Sequence, residues 1–480
     1  MRSKALFLFK LILSYNVVMK KIIISSLLLI CLFVPLISQA RQKMQTYQDL
    51  KDEIYTLIDD NSLDQQAIVD FIIQQSYSYD FLNWLIDLHH SLFFNNPKGD
   101  ETVYQDVMMA MAVAYDKIGQ PEELISAIKR LITRRQMIWH GFRNTNHYNR
   151  EYAALATLAQ MTEDQRYQKF QQKLRESTNK IYLADGYPLE GPDYGLYSMK
   201  LLAPYVYFTA DEEIKQGIIN NLNYLASIAS ADKYKPAFED SLASKLPSQI
   251  SDFKEINKYW QPNFGFYNIP EGLTDNPQET VWRYDNATIW IRHRQAAADW
   301  QVLHRHFSNG DITMKQGDTW WLLAPGYSGW DNKFTTPELH NLAISKLFYP
   351  FRKLWRLLPL KLVIKESDAE EKIDKLTLNL SGKIKRVVEA DEHSLVVTDS
   401  SQRVFKQFWQ INGKLISREK LDNGYRYQWQ QEDKILTQEI TGVYQEEIKQ
   451  RQHTGTVKED IQDHLQLMVE GQNIISRFTW

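Results

Sequence analysis

The chain has 480 residues, 24% of them charged and 44% hydrophobic, with 56 Lys and Arg against 59 Asp and Glu. That length admits two or more domains and a large core, and the composition is that of a folded, water-facing protein. The net charge of −3 excludes a general nucleic-acid binder, and a single cysteine excludes an internal disulfide.

The first element is a targeting segment. Met19-Lys20-Lys21 precede an apolar run, Ile22 to Leu36, and then Ser38-Gln39-Ala40, a small-x-small cleavage signal. Cleavage is expected after Ala40, with residues 1–18 an upstream extension. An uncleaved anchor is the alternative, but the run is short for a span of about 20 residues. Cys31 leaves with this segment, so thiol catalysis is excluded as well. The segment carries five basic residues and no acidic ones, which leaves 51 basic against 59 acidic residues and a net charge of −8. Export without cysteines suits a bacterial periplasm or secretion, with no stable membrane association after cleavage. An anionic partner would need a local basic cleft.

From Met44 to about Tyr259 apolar residues recur at helical spacing, as in Val103–Ile118, Leu124–Ile132, Tyr152–Met161, Tyr167–Ile181, Tyr197–Phe208 and Ile214–Ile228. Eight to ten helices are expected, arranged as a solenoid, a bundle or a ring of helical hairpins. Residues rich in Pro, Gly and Asn follow Gln261. Beyond them the period changes to that of strands: Ala287–His293, Gln301–Phe307, Asp311–Met314, Trp320–Leu323, then dense hairpin signals from Lys375 onward, including Asn412-Gly413 and Gly471. The expected organisation is a signal segment over 1–40, a helical domain over 41–265, a linker over 266–285 and an antiparallel β domain over 286–480. Leu347 to Val363 stands apart, with Lys and Arg between large apolar residues; a basic amphipathic helix or a substrate-facing insertion fits it.

Three groups of residues have the types that carry chemistry. Asn146-His147 lie where a helix opens, and an amide beside an imidazole can hydrogen-bond a carboxylate there. The plain alternative is a helix cap beside a surface histidine. Asp185 to Tyr197 holds two Asp, one Glu and three Tyr around Gly-Pro breakers and reads as a loop. In it Tyr194 and Tyr197 can share a helix face, whether for proton transfer or for packing. Asp185 with Asp193 or Glu190 makes an alternative paired-carboxylate site. Finally, His304 and His306 alternate to one face of a strand, and His340-Asn341 follow. Three histidines can also ligate zinc.

In this order, the three groups resemble the heparinase II/III-like polysaccharide lyases and their alginate-lyase relatives. Asn146-His147 match the family's Asn-His pair. Asp185, Gly186, Glu190, Gly191, Pro192 and Tyr194 match its Asp-Gly-x-x-x-Glu-Gly-Pro-x-Tyr stretch. His304, His306, Gly326-Tyr327 and Thr336 with His340-Asn341 match its sheet motifs. The resemblance covers about residues 130–345. It implies a multidomain fold, an N-terminal (α/α) toroid followed by an antiparallel β-sandwich domain. It also implies β-elimination on an acidic polysaccharide, a glycosaminoglycan or an alginate-like polymer, as the partner.

In that scheme Asn146 and His147 neutralise the uronate carboxylate, Tyr194 transfers the proton, and His304 is the base for the epimeric substrate. Arg143, Arg150, Glu190, Tyr197, Arg305 and His340 are expected at the substrate, and Arg292 and Arg294 add positive charge nearby. Family members often hold a structural zinc through the second His, an Asp and the His of His-Asn. Here the expected Asp position is Ala324, so only His306 and His340 remain as ligands and no cofactor is required. Two readings compete: a toroid-fold glycoside hydrolase using Asp185 with Asp193 or Glu190, and a non-catalytic protein that binds acidic polysaccharide.

Overall fold

The computed structural model describes scattered positions between 105 and 116, then residues 122–135, 146–181, 186–188, 191–238, 241, 243–246, 272–276, 279–293, 309–324, 339–346, 370–372, 375–380, 383–454 and 461–480. Five helices are complete in it: α1 Glu122–Arg135, α2 Asn146–Met161, α3 Tyr167–Ile181, α4 Pro192–Thr209 and α5 Glu212–Ile228. The signal segment, Leu347–Val363 and the helical pattern before residue 105 lie outside the described residues. No described helix is long and apolar enough to cross a membrane.

The described residues form two compact units. One takes in the described residues up to Arg135 together with Ala154–Phe170; the other takes in Asn146–Ala153 and everything from Gln171 onward. In the first, the Arg166 guanidinium donates to both Asp164 carboxylate oxygens, at 2.7 and 2.6 Å, and to Thr133 Oγ1 at 2.7 Å. That fork holds the turn after α2 against the last turn of α1. The Asp164 carboxyl is held below its usual range, chiefly by this arginine.

The second unit contains α3 from Gln171 onward, α4 and α5, tied together by one carboxylate. Asp211 caps α5 by accepting from the N–H groups of Glu213 and Ile214, and Glu212 and Glu213 occupy the first turn, where the helix dipole favours acids. The same side chain accepts from Tyr205 Oη of α4 at 2.7 Å and pairs with Arg175 of α3 at 3.0 Å. Helix α4 starts five residues before the expected Tyr197. Pro192 sits in its first turn, where a missing N–H costs nothing, and Gly191 precedes it at φ 105°. The Gly-Pro breaker is therefore a helix start, and Tyr194 lies in a first turn, not in a loop.

The strands are β1 Tyr234–Lys235, β2 Ser244–Lys245, β3 Leu273–Asn276, β4 Glu279–Arg283, β5 Ala287–Arg292, β6 Ile312–Gln316, β7 Thr319–Leu322, β8 Ala343–Ser345, β9 Glu370–Lys372, β10 Lys375–Leu380, β11 Ile384–Ala390, β12 Ser394–Ile411, β13 Lys414–Leu421, β14 Gly424–Gln431, β15 Lys434–Thr454 and β16 Ile461–Thr479. Strands β1 and β2 pair with each other. The other fourteen form one antiparallel sheet in the order β13-β14-β15-β16-β12-β7-β6-β5-β4-β3, with β8 and β11 also on β12, then β10 on β11 and β9 on β10.

Three expectations are corrected by this sheet. The stretch 266–285 is not a linker throughout, because β3 and β4 run through it. The two strands pair antiparallel, from Leu273 opposite Trp282 to Asn276 opposite Glu279. Asn412-Gly413 does not close a hairpin either: β13 pairs with β14 and not with β12. Gly471 does not end a strand. It faces Val443 where the β15–β16 register shifts, so with Gly442 (φ +76°) it marks a bulge inside two long strands.

The core of the sheet collects residues from both ends of the strand order, among them Trp282, Trp321, Trp409 and Trp429, none more than 2% exposed. A buried indole removes on the order of 200 Å² from water, worth about 5 kcal/mol before entropy is charged. Asn341 stitches this region together. Its amide donates to the carbonyls of Ile312 and Leu323 at 2.7 and 2.8 Å, and its Oδ1 accepts from the Gln410 N–H at 2.6 Å. The Asn of the sequence motif is thus a structural clasp. Beside it the buried Arg386, paired with Asp399, also donates to the Asn341 carbonyl, at 2.9 Å.

The sheet also receives the end of α5. Trp290 Nε1 of β5 donates to the Ile228 carbonyl at 2.6 Å, and Arg283 of β4 donates to the carbonyls of Ala229, at 2.7 Å, and Ser227. A cation and an indole N–H therefore satisfy the last carbonyls of the helix. Burial pulls the Arg283 pKa down to about 10.

Candidate active site

Helices α2 and α4 touch through Arg150 and Tyr197, each about one turn in from its helix start. Arg150, one turn into α2, is fully buried. Its guanidinium lies over the Tyr197 ring, 3.6 Å from the centroid, and Nη1 donates to the Tyr197 carbonyl at 2.8 Å. Asn146 precedes Arg150 by four residues and Tyr194 precedes Tyr197 by three. At 1.5 Å of rise per residue, each lies about one turn N-terminal to the contact. Asn149, beside Arg150, donates through Nδ2 to Thr178 Oγ1 of α3 at 2.7 Å, which fixes the same turn of α2 from another side.

Tyr194 is half-buried, so part of its side chain reaches solvent. Asn146 is fully buried at the N-terminus of α2. His147 occupies the next position of that helix. Arg150 and Tyr197, both expected at the substrate, contact each other. The burial of Arg150 gives it the placement of a positioning residue rather than a substrate contact. Arg143, Glu190, His304, Arg305 and His306 lie outside the described residues, as do Asp185 and Arg294.

The approach to Tyr194 is held by glycines. Gly186 has φ +86°, and a Cβ there would run into the Asn220 carbonyl of α5. The Gly186 carbonyl accepts from Asn221 Nδ2 at 2.7 Å. Gly195 lies against Pro188, where a Cβ would come within 2.9 Å of the proline ring. Only glycine allows both approaches.

Asp193 is not available as one of a carboxylate pair. Its Oδ1 pairs with Lys235 Nζ at 2.9 Å, and its backbone N–H donates to Ser241 Oγ at 3.0 Å. Lys235 is fully buried; burial pulls its pKa down while Asp193 partly restores it. A general acid or base needs a carboxyl free to exchange its proton, and this one is committed to an ammonium group.

Below the loop lies a buried polar cluster that sequence reasoning missed. Arg292 of β5 donates to Glu279 of β4 and to the Tyr187 hydroxyl. Glu279 accepts from Tyr224 Oη of α5 at 2.6 Å, and the Tyr187 and Tyr224 rings meet edge to face at 5.2 Å. Burial, then the negative charge of Glu279, drives the Tyr224 pKa well up. Arg292 was expected to supply charge to the cleft, but it is 0% exposed. Glu279 and Arg292 stand directly opposite each other in the β4–β5 register, a pairing of two distant positions that the linear sequence does not display.

His340 is buried in the sheet region, with Nδ1 2.7 Å from Asp311 Oδ2. The other Asp311 oxygen accepts from the N–H groups of Ile312 and Asn341. The carboxylate beside His340 thus comes from residue 311, while Ala324 is 1% exposed and apolar. Among the described residues no three His, Cys, Asp or Glu side chains gather as a metal set. His306, the other expected zinc ligand, lies outside the described residues.

No family model matches the chain, and no curated protein matches it by sequence. Solved structures do match by fold. A heparinase III gene product superposes with a TM-score of 0.59 at 12% identity, covering 85% of this chain and 74% of the other. A second heparinase III gives 0.59 at 12% identity, over 85% and 76%. The heparan sulfate lyase HepC from Pedobacter heparinus gives 0.58 at 13% identity, over 85% and 72%. With helices followed by a large antiparallel sheet, this chain shares the fold of heparinase III and the heparan sulfate lyase.

Proposed function

We propose that the chain is a polysaccharide lyase that cleaves a uronic-acid-containing polysaccharide by β-elimination, leaving an unsaturated uronate end. The observation that carries this reading is the Arg150–Tyr197 contact, which joins α2 and α4 about one turn beyond Asn146 and Tyr194 in a fold shared with heparinase III. In the full architecture the helices complete an (α/α) toroid, and the sheet is the β-sandwich that follows it. The substrate class is a glycosaminoglycan or an alginate-like polymer. The basic, apolar and small-residue pattern over 1–40 supports export to a periplasm or beyond.

Three tasks define the reaction. The C5 proton lies beside a carboxylate, and its removal puts negative charge on that group. Asn146 and His147 neutralise the carboxylate, a preorganised electrostatic role. Tyr194 takes the C5 proton, the electron pair forms the C4–C5 double bond, and the C4–O4 bond breaks. Tyr194 then returns the proton to O4, so one residue closes the cycle when proton and leaving group share a face. For the epimeric uronate, His304 takes the C5 proton and Tyr194 protonates O4. Side chains supply every step, so no cofactor is required.

Of the two hydrolase pairings, the Lys235 ion pair opposes Asp185 with Asp193; Asp185 with Glu190 lies outside the described residues. The direct test is a panel of heparin, heparan sulfate, chondroitin sulfate, hyaluronan and alginate, followed by ultraviolet absorbance. A lyase raises the absorbance of the unsaturated uronate on at least one polymer. New reducing ends without that absorbance would indicate a hydrolase. Binding without cleavage on every polymer would indicate a non-catalytic binder.

A further inference from the structure

We infer that Tyr187 and Arg292 are positioning residues through which the sheet fixes the Tyr194 turn; the catalytic part of this inference rests on the lyase reading above. Arg292 and Glu279 are both 0% exposed at their side chains. A buried ion pair seldom stabilises a fold more than an apolar pair of the same size would. Its use lies in geometry. A guanidinium is a planar fork with fixed donor directions. Here one arm binds Glu279 and the other binds the Tyr187 hydroxyl. The cluster thereby sets the separation between β5 and the loop ahead of α4.

A continuous line of contact runs from there to Tyr194. Tyr187 is followed by Pro188, and the Pro188 ring fills the space that only a glycine at 195 leaves open. The Pro188 carbonyl accepts from the Gly191 N–H at 2.9 Å, which closes the turn into α4. Gly195 is the immediate neighbour of Tyr194. From the other side, α5 grips the same loop through Asn221 on the Gly186 carbonyl, and through the Tyr224 ring on Tyr187. Tyr224 in turn donates to Glu279. Strand and helix therefore hold one segment through one cluster, and Tyr187 is where both holds meet.

The test uses Tyr187→Phe in the full chain, which keeps the ring and leaves Arg292 paired with Glu279. Two readouts are taken. Amide hydrogen exchange over residues 186–197 is expected to speed up by about tenfold, with β10–β12 unchanged. On the polymer that the wild type cleaves, kcat is expected to fall by about tenfold with KM within about twofold, since positioning acts on the reacting geometry. Glu279→Gln, which takes the carboxylate from the buried Arg292, is expected to show the larger loss of the two. Unchanged exchange over 186–197 overturns the proposal, as does faster exchange spread evenly over the sheet, which would mean general destabilisation. If the wild type cleaves no uronate polymer, the lyase reading fails, and the exchange measurement still decides whether the sheet holds this turn.

Discussion

Replacing Gly195 by alanine sets two effects of opposite sign against each other. In a helix interior the change normally stabilises by about 1 kcal/mol, because glycine loses more backbone freedom on folding. Here the added Cβ would lie 2.9 Å from Pro188 Cβ and Cγ, and 3.2 Å from Asn221 Nδ2. Neither neighbour yields easily. The proline ring is held through its carbonyl to Gly191, and Asn221 is engaged with Gly186. Overpacking of this kind costs about 1–3 kcal/mol. The net change is a loss of about 0–2 kcal/mol, opposite in sign to the propensity effect. The effect on turnover is larger. A shift of a few tenths of an ångström beside Tyr194 should lower kcat by about tenfold, given that about 1 Å of misplacement can cost a hundredfold. Denaturant unfolding followed by tryptophan fluorescence, with initial rates from uronate absorbance, measures both quantities. A Gly195→Ala protein that is about 1 kcal/mol more stable and turns over normally would refute the packing argument.

Gly186→Ala should be the harsher change, because the residue has φ +86° and the obstructing atoms are the backbone of Asn220. Left-handed strain alone costs about 1–2 kcal/mol, and loss of the Asn221 bond adds about 1 kcal/mol; little folded protein at 37 °C is the expected result, read by circular dichroism and soluble yield. Asp211 governs an acid response. Burial pushes its carboxyl up, but hydrogen bonds from Arg175, Tyr205 and the Ile214 N–H outweigh that and hold it below its usual 3.8. Its stabilisation is therefore complete above the unfolded value and is lost as pH falls through the lower folded one. Asp211→Asn should lower the denaturant midpoint at neutral pH and flatten its decline below about pH 4; an equal decline in both proteins would contradict this.

The parts of the fold that follow from periodicity were legible. The spacing of Tyr167–Ile181 gave α3 at its observed ends, and Lys375–Leu380 gave β10 in the same way. Breakers were harder to read, because Gly and Pro mark special backbone without saying which kind. Gly191-Pro192 starts a helix, Gly471 faces a bulge and Asn412-Gly413 joins two strands that do not pair with each other. Asn146, Tyr194 and Tyr197 were singled out by residue type and order alone. The Arg150–Tyr197 contact was not legible, since the two are 47 residues apart. The same holds for Tyr187 and Arg292, which are 105 residues apart. Burial reverses what an arginine signifies: an exposed one attracts anions, whereas a fully buried one fixes its neighbours. The local pattern around Arg150 and Arg292 does not distinguish the two cases.

The central claim is that Tyr194 carries the proton in a β-elimination. Tyr194→Phe removes one oxygen and keeps the ring in the first turn of α4. The decisive measurement is uronate absorbance from this variant and from the wild type on the polymer that the wild type cleaves, alongside binding of the same polymer. The account predicts binding within a few-fold of wild type and turnover lower by at least about a thousandfold. Turnover within tenfold of wild type would contradict it.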